Sequence, residues 1–352
     1  MRIAQIMLAR GFGGAERSFV DLSLALAARG HQLLAIGDKR GSALPLLTDQ
    51  PNIECVGVRC HGNWDVFARR TLRQHLERFA PKVVQAHLAR AAYLGGRAAH
   101  DLGLPTLAKT HNLVQVKYYR DIDALVATTL AQADHLRAHG VDPRVIHQIP
   151  NFSAIQIVST ARQTAGPPWV IKSAGRFVPK KGYAALLTAF AQLRSNGVDA
   201  RLIIGGDGPE AARLKTLAQS LNLGRAVEFP GWVDDVAQFL LDADMFVLPS
   251  HDEPFGIVVL EAMASGVPIV TTPTVGPLEI LDVNSACFAA RDDAPALALA
   301  MAQTLADFDA ARRRAETAFS LFLQRYSADI VVTRYLALYA ELVNEQAQRS
   351  QA

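Results

Sequence analysis

Short apolar runs and amphipathic stretches alternate along almost the whole chain, so the hydrophobic period switches repeatedly from that of a strand to that of a helix. Residues 2–8 predict a buried strand. Residues 17–28, apolar at Phe19, Val20, Leu22, Leu24 and Leu26 and stopped by Gly30, predict a helix. The glycine-rich loop Gly11-Phe12-Gly13-Gly14-Ala15-Glu16 lies between them. Strands are expected at 33–36, 53–58, 83–86, 106–110, 125–128 and 144–148, with helices at 64–79, at 91–102 and through His139. Two of these strands run into a histidine, His87 and His111. Residues 150–168 have no periodicity, contain Gly166-Pro167-Pro168, and read as a linker.

The pattern then restarts. Residues 169–174 predict a strand, followed by the basic loop 175–182 and an apolar helix at 183–193. Further strands are expected at 201–204, 227–229, 244–248 and 267–271, with helices at 235–241 and 257–264 and a loop at 273–277. Helices at 294–305, 310–325 and 328–343 close the chain, the last with Ile330, Val331, Tyr335, Leu336 and Tyr339 available to pack. Strands separated by helices of this length specify a parallel, doubly wound α/β sheet with right-handed crossovers. Two such series, in a chain of 352 residues, specify two domains. The expected division is 1–165 (first domain with its linker), 166–327 (second domain) and a C-terminal helix, 328–352, packing back across the domains. Ligands of such sheets bind at the carboxyl ends of the strands, where His87 and His111 stand.

Composition narrows the setting. No apolar run approaches the roughly 20 residues of a membrane-spanning helix. The first ten residues carry too short an apolar core for a secretion signal. Cys55, Cys60 and Cys287 form no CxxC pair and no disulfide framework, which predicts a reducing cytoplasm. Cys60-His61 has no partner cluster, so no metal site is expected. The net charge of +3 conceals an asymmetry: residues 1–165 hold 20 Lys/Arg, 12 Asp/Glu and nine of the ten histidines. A basic first half suits an anionic partner, either a phosphorylated acceptor or an anionic membrane surface touched peripherally at its cytoplasmic face. Nucleic acid is not expected, because no basic run is interleaved with aromatic residues.

Four stretches carry candidate chemistry. The N-terminal glycine loop departs from the dinucleotide fingerprint, because Glu16 stands where its last glycine belongs, yet it still lets a ligand approach a helix N-terminus. Gly175-Arg176-Phe177-Val178-Pro179-Lys180-Lys181-Gly182 puts three cations between a strand and a helix, suited either to clamping a diphosphate or to a solvated loop. Gly205-Gly206-Asp207-Gly208-Pro209 follows the next strand. The stretch from Glu253 to Glu261, through Pro254, Phe255, Gly256 and Ile257, places two carboxylates across a strand–loop–helix junction. A carboxylate in the second helical turn is costly to bury unless something hydrogen-bonds it, and a polyhydroxylated ligand such as a ribose would do so.

In combination these stretches resemble the retaining GT-B glycosyltransferases, and more narrowly their family 4, over nearly the whole chain. The resemblance rests on Gly13-Gly14-Ala15-Glu16, Gly175-Arg176 with Lys181-Gly182, Gly206-x-Gly208-Pro209, and Glu253-Pro-Phe-Gly256 through Glu261. It implies two Rossmann-like domains facing a cleft, the first binding the acceptor and the second a nucleotide-sugar donor. By position it implies that Arg176 and Lys181 hold the donor diphosphate. Glu253 and the backbone N–H groups of Phe255, Gly256 and Ile257 would meet sugar and phosphate, and Glu261 the ribose. Gly13, Gly14 and Gly206 would line the donor site, Trp232 and Val233 the base, and His111 the transferring sugar. The order of Lys180 and Lys181 leaves open which lysine reaches the phosphate.

The resemblance further implies front-face transfer without a protein nucleophile and without a metal ion, since no Asp-x-Asp motif stands where it would place one. No cofactor is expected beyond the donor. Uracil is the preferred base and guanine stays open. The acceptor expected is a lipid-linked or cell-envelope glycan, as in lipopolysaccharide or exopolysaccharide assembly. Two other readings fit the same fold: a sugar-nucleotide epimerase, and a non-catalytic nucleotide-sugar-binding subunit.

Overall fold

The computed structural model describes residues 1–155 and 166–351. The middle of the expected linker, 156–165, therefore lies outside the described residues. The chain divides into two compact units, Met1–Ala154 with Ala328–Ala352, and Ile155–Ser327.

In the first unit the elements run β1 (Arg2–Met7), α1 (Gly14–Ala28), β2 (Gln32–Asp38), β3 (Ile53–Val58), α2 (Val66–Phe79), β4 (Val83–His87), α3 (Leu88–His100), β5 (Thr106–Lys109), β6 (Ala124–Ala127), α4 (Leu130–Ala138) and β7 (Ile146–Gln148). The strands form one parallel sheet in the order β3-β2-β1-β4-β5-β6-β7. β1, β4, β5 and β6 are buried along most of their length, as sheets covered on both faces by helices must be. Chain order reverses between β1 and β4, which places the ligand crevice of such a sheet beyond their carboxyl ends.

The second unit repeats the scheme. It contains β8 (Trp169–Ala174), α5 (Tyr183–Ser195), β9 (Ala200–Gly205), α6 (Ala211–Ser220), β10 (Val227–Glu228), α7 (Val236–Leu240), β11 (Met245–Leu248), α8 (Ile257–Ala264), β12 (Ile269–Thr271), α9 (Val275–Ile280), β13 (Cys287–Phe288), α10 (Ala294–Ala306) and α11 (Phe308–Arg325). Its parallel sheet runs β10-β9-β8-β11-β12-β13, reversing between β8 and β11. The last helix, α12 (Ala328–Gln351), turns Val331, Val332, Tyr335, Leu338, Tyr339 and Leu342 into a cluster with Ile3, Leu22, Leu107 and Val126 of the first unit. Burying each such side chain stabilises by about 1.5–3 kcal/mol.

Several boundaries differ from the pattern-based expectation. α1 starts at Gly14, not 17, because Gly13 serves as N-cap and its carbonyl accepts from the Arg17 N–H at 2.9 Å. α3 starts directly at Leu88, where a positive φ of 67° turns the chain from strand to helix without a loop. The expected loop 273–277 is largely the short helix α9. Ile330 is exposed, since α12 reaches the sheet one position later, through Val331.

Candidate functional site

In the second unit the loops beyond the carboxyl ends of β8, β9, β10 and β11 are stitched together by main-chain bonds. Gly175 N–H donates to Gly205 O at 2.9 Å, Phe177 N–H to Asp207 O at 2.8 Å, and Gly206 N–H to Gly231 O at 2.7 Å. His251 and Asp252 N–H donate to Lys180 O at 2.8 and 3.2 Å. Two glycines make these approaches sterically feasible. A Cβ on Gly206 (φ 152°) would stand 2.0 Å from Gly175 O, and one on Gly182 (φ 70°) would stand 2.0 Å from Pro249 O. A Cβ on Gly205 would meet Val233, so the Trp232–Val233 turn also lies against this edge.

The central contact joins the two sides of the reversal point: Lys181 Nζ donates to the Glu253 carboxylate. Their side chains are 17% and 8% exposed, so the pair sits in a partly dehydrated setting where charges interact strongly. Lys180 instead meets Asp252 at 3.2 Å on the surface, which makes Lys181 the inward-facing lysine. Arg176 is exposed and enters no ion pair among the described residues. Gly256 (φ 93°) caps α8, and the N–H groups of Phe255, Gly256 and Ile257 meet no acceptor among the described residues. They leave a helix start open to an anion or a hydroxyl. Phe255 is buried edge-on against Tyr326, 6.4 Å between centroids, which fixes the turn, while Ile257 is half-buried. Glu261 is buried in the second turn of α8, 5% exposed.

In the first unit, Gly13 and Gly14 form the start of α1, and the Glu16 carboxylate folds back to 3.5 Å from where a Gly13 Cβ would stand. An anionic group therefore already occupies the positive end of that helix. His111 lies two residues beyond β5 with φ 63°, a strained left-handed conformation for a non-glycine residue, and is 7% exposed. Its Nε2 is 3.1 Å from His87 Nδ1. Burial first, and the neighbouring Lys109 charge second, hold both imidazoles well below their ordinary pKa, so both are neutral. Among the described residues, no group of three or more His, Cys, Asp or Glu is placed to share a metal ion.

Comparison with known proteins follows the same division. Residues 12–153 match Glycosyltransferase Family 4, and residues 159–320 match Glycosyl transferases group 1. The chain is 32% identical over 342 residues to the lipopolysaccharide core biosynthesis glycosyltransferase LpsE of Rhizobium meliloti, covering 93% of this chain and 96% of LpsE. The chain belongs to this glycosyltransferase family. LpsD of the same organism, also described as a lipopolysaccharide core biosynthesis glycosyltransferase, is 30% identical over 349 residues, or 93% and 95% of the two chains. The crystal structure of Anabaena HepE in complex with UDP and glucose superposes with a TM-score of 0.83 at 19% identity, covering 97% of this chain and all of HepE's 100%. The two parallel-sheet α/β domains are those of the GT-B fold.

This glycosyltransferase holds features that its sequence did not disclose. The hydroxyls of Ser250 and Thr274, in the loops after β11 and β12, are buried with no hydrogen-bond partner among the described residues, a state that a ligand or water commonly completes. Lys109, fully buried on β5, donates to Ser18 Oγ at 2.8 Å, and Ser18 donates to Asn151 Oδ1 at 3.1 Å. At the same sheet edge, Arg10 and Arg40 both bind the wholly buried Asp38 carboxylate, at 3.1 and 3.0 Å, and the Cys60 carbonyl. Trp64, Val66 and Phe67 stand 74%, 66% and 81% exposed at the start of α2, ahead of the exposed Arg70 and Arg73. No helix among the described residues is long and apolar enough to cross a membrane.

Proposed function

We propose that this glycosyltransferase moves a hexose, with retention of configuration, from a nucleoside-diphosphate sugar to a cell-envelope glycan, in lipopolysaccharide core assembly. The observation that carries the reading is the Lys181–Glu253 pair at the reversal point of the second sheet, next to the open helix start of α8, with Arg176 on the same loop as Lys181 and in no ion pair among the described residues. Arg176 and Lys181 hold the diphosphate and take up its growing charge as the bond between sugar C1 and phosphate oxygen breaks. An acceptor hydroxyl oxygen bonds to C1 on the same face, and its proton passes to the departing phosphate. Two fixed cations neutralise the leaving group, so the reaction runs without a divalent ion. Glu253, already engaged by Lys181, binds sugar hydroxyls and does not attack C1.

Phe255, Gly256 and Ile257 donate main-chain N–H groups to sugar and phosphate, Glu261 accepts from the ribose, and Trp232 and Val233 flank the base. Gly206 lets the backbone come close, and Gly13 and Gly14 line the approach to the diphosphate. His111, neutral, meets a hydroxyl of the transferring sugar. The names of LpsE and LpsD support the lipopolysaccharide core as the setting, and the UDP and glucose bound to HepE support a UDP-sugar. The exposed Trp64, Val66 and Phe67, backed by Arg70 and Arg73, suit peripheral contact with an anionic membrane surface.

The test is transfer from labelled UDP-sugars to an envelope extract of the source organism, with and without a chelator, followed by NMR of the product linkage. An α-linked product from an α-linked donor, formed equally in chelator, is the expected result. An inverted linkage, complete chelator loss restored by Mg²⁺, an epimerised donor without transfer, or donor binding without turnover would each overturn the corresponding part.

A further inference from the structure

His87 Nε2 stands 2.7 Å from Gln5 Oε1, and His87 Nδ1 stands 3.1 Å from His111 Nε2. A carboxamide oxygen only accepts, so His87 Nε2 carries the proton and donates it to Gln5. Gln85 Nε2, 3.2 Å from the same nitrogen, favours the opposite tautomer. That tautomer would press two lone pairs together across the 2.7 Å contact, so the shorter distance decides. Tyr339 supports the same choice: it gives its one hydroxyl proton to Gln85 Oε1 and accepts from Gln5 Nε2 at 3.2 Å, which turns the Gln5 oxygen toward His87.

A neutral imidazole has a single N–H, so His87 Nδ1 is an acceptor, and the proton between the two rings belongs to His111 Nε2. His111 Nδ1 is then bare. It meets no partner among the described residues, and it is not a buried orphan, so its lone pair opens to the surface.

We infer that His87 is a positioning residue that fixes His111 in the Nε2–H tautomer, leaving the Nδ1 lone pair to accept a hydrogen bond from a sugar hydroxyl. The sugar as occupant rests on the role of His111 proposed above; the tautomer does not. Gln5, Gln85 and Tyr339 hold His87 in turn, so α12 contributes a side chain to the relay. Lys109, close enough to depress both imidazole pKa values, adds a positive field that keeps the pair from gaining a second proton.

Two-bond ¹H–¹⁵N spectra of the full chain test this directly. The expected wild-type spectrum shows His111 protonated at Nε2 and bare at Nδ1. His87→Asn, whose side-chain oxygen can take the place of Nδ1, should keep that spectrum and most of kcat. His87→Leu should leave His111 exchanging between tautomers and lower kcat at least about tenfold, with donor KM unchanged. A wild-type His111 protonated at Nδ1 would overturn the inference, as would a His87→Leu variant with unchanged tautomer and kcat. Should His87→Leu fail to fold, the wild-type and His87→Asn spectra still decide. Full activity in His111→Ala would instead remove the proposed role of His111 and leave the tautomer result standing.

Discussion

The Lys181 ammonium donates to the Glu253 carboxylate, and that contact ties the loop after β8 to the loop after β11. Only one of the three Lys181 N–H groups is needed for it, so the cation can serve a phosphate at the same time. In the proposed donor site the carboxylate would hold the lysine side chain in place before a donor binds, which would lower the ordering cost of binding.

Lys181→Ala should therefore reduce transfer on the order of 10²–10³-fold, as for loss of one transition-state electrostatic contact. It should also lower stability by about 1–3 kcal/mol, because the buried Glu253 loses its partner. Arg176→Ala should reduce transfer similarly and leave the urea midpoint unchanged, since Arg176 is exposed and in no ion pair among the described residues. Kinetics at saturating donor and denaturant titration separate the two, and wild-type turnover in either variant would remove its assigned role.

Gly182 is the tightest point of that junction. Gly182→Ala would drive a Cβ to 2.0 Å from Pro249 O, while Gly197, also at positive φ, has nothing within 4 Å of its Cβ position. Gly197→Ala should cost about 1–2 kcal/mol of backbone strain and leave donor affinity intact. Gly182→Ala should weaken donor binding by more than about tenfold, because its clash separates the loops that carry Lys181 and Glu253. Calorimetric titration with the same nucleotide-sugar checks both, and equal affinities would show that the close approach does not shape the site.

Lys109 makes stability depend on pH in a set direction. Burial pulls its pKa from 10.5 down to about 7 in the folded chain, with the Asp21 charge opposing. Between those values the unfolded chain binds more protons than the folded one, so stability contributed by this group rises with pH from about 7 to 10.5. Lys109→Met should flatten that rise relative to wild type in urea midpoints taken across the window. Parallel profiles would show that Lys109 titrates normally.

The order of strands and helices was legible because each element carries its own period, and α8, with Ile257 to Ala264, falls where the pattern places it. The two-residue strand β13 was not, since its pairing with β12 and not its own sequence makes it a strand. The candidate loops were legible from glycines and charges, but their mutual contacts were not. Lys181 and Glu253 are 72 positions apart, and Lys109 and Ser18 are 91 apart, so neither pair leaves a local signature. His87 read as one more strand-end histidine; only its distances to Gln5 and His111 give it a task. Three cations in the loop 175–182 looked alike in sequence, and only their burial and partners, Asp252 for Lys180 and Glu253 for Lys181, separate the two lysines.

The exposed Trp64 and Phe67 should bind lipid. Trp64→Ser with Phe67→Ser should reduce co-sedimentation with anionic phospholipid vesicles and leave donor-binding affinity unchanged, because both side chains lie outside the second unit. Unchanged sedimentation would show that these side chains make no membrane contact.

The most direct test of the donor site is the shift in thermal unfolding that UDP, UDP-glucose and GDP-mannose produce in wild type and in Glu261→Ala. A ligand held by the folded chain alone stabilises it by about 2.7 kcal/mol at a hundredfold excess over its Kd. A clear upward shift is expected for the uridine compounds, much reduced in Glu261→Ala, which lacks the carboxylate proposed to hold the ribose. A wild-type melting temperature that no nucleotide or nucleotide-sugar moves would contradict it.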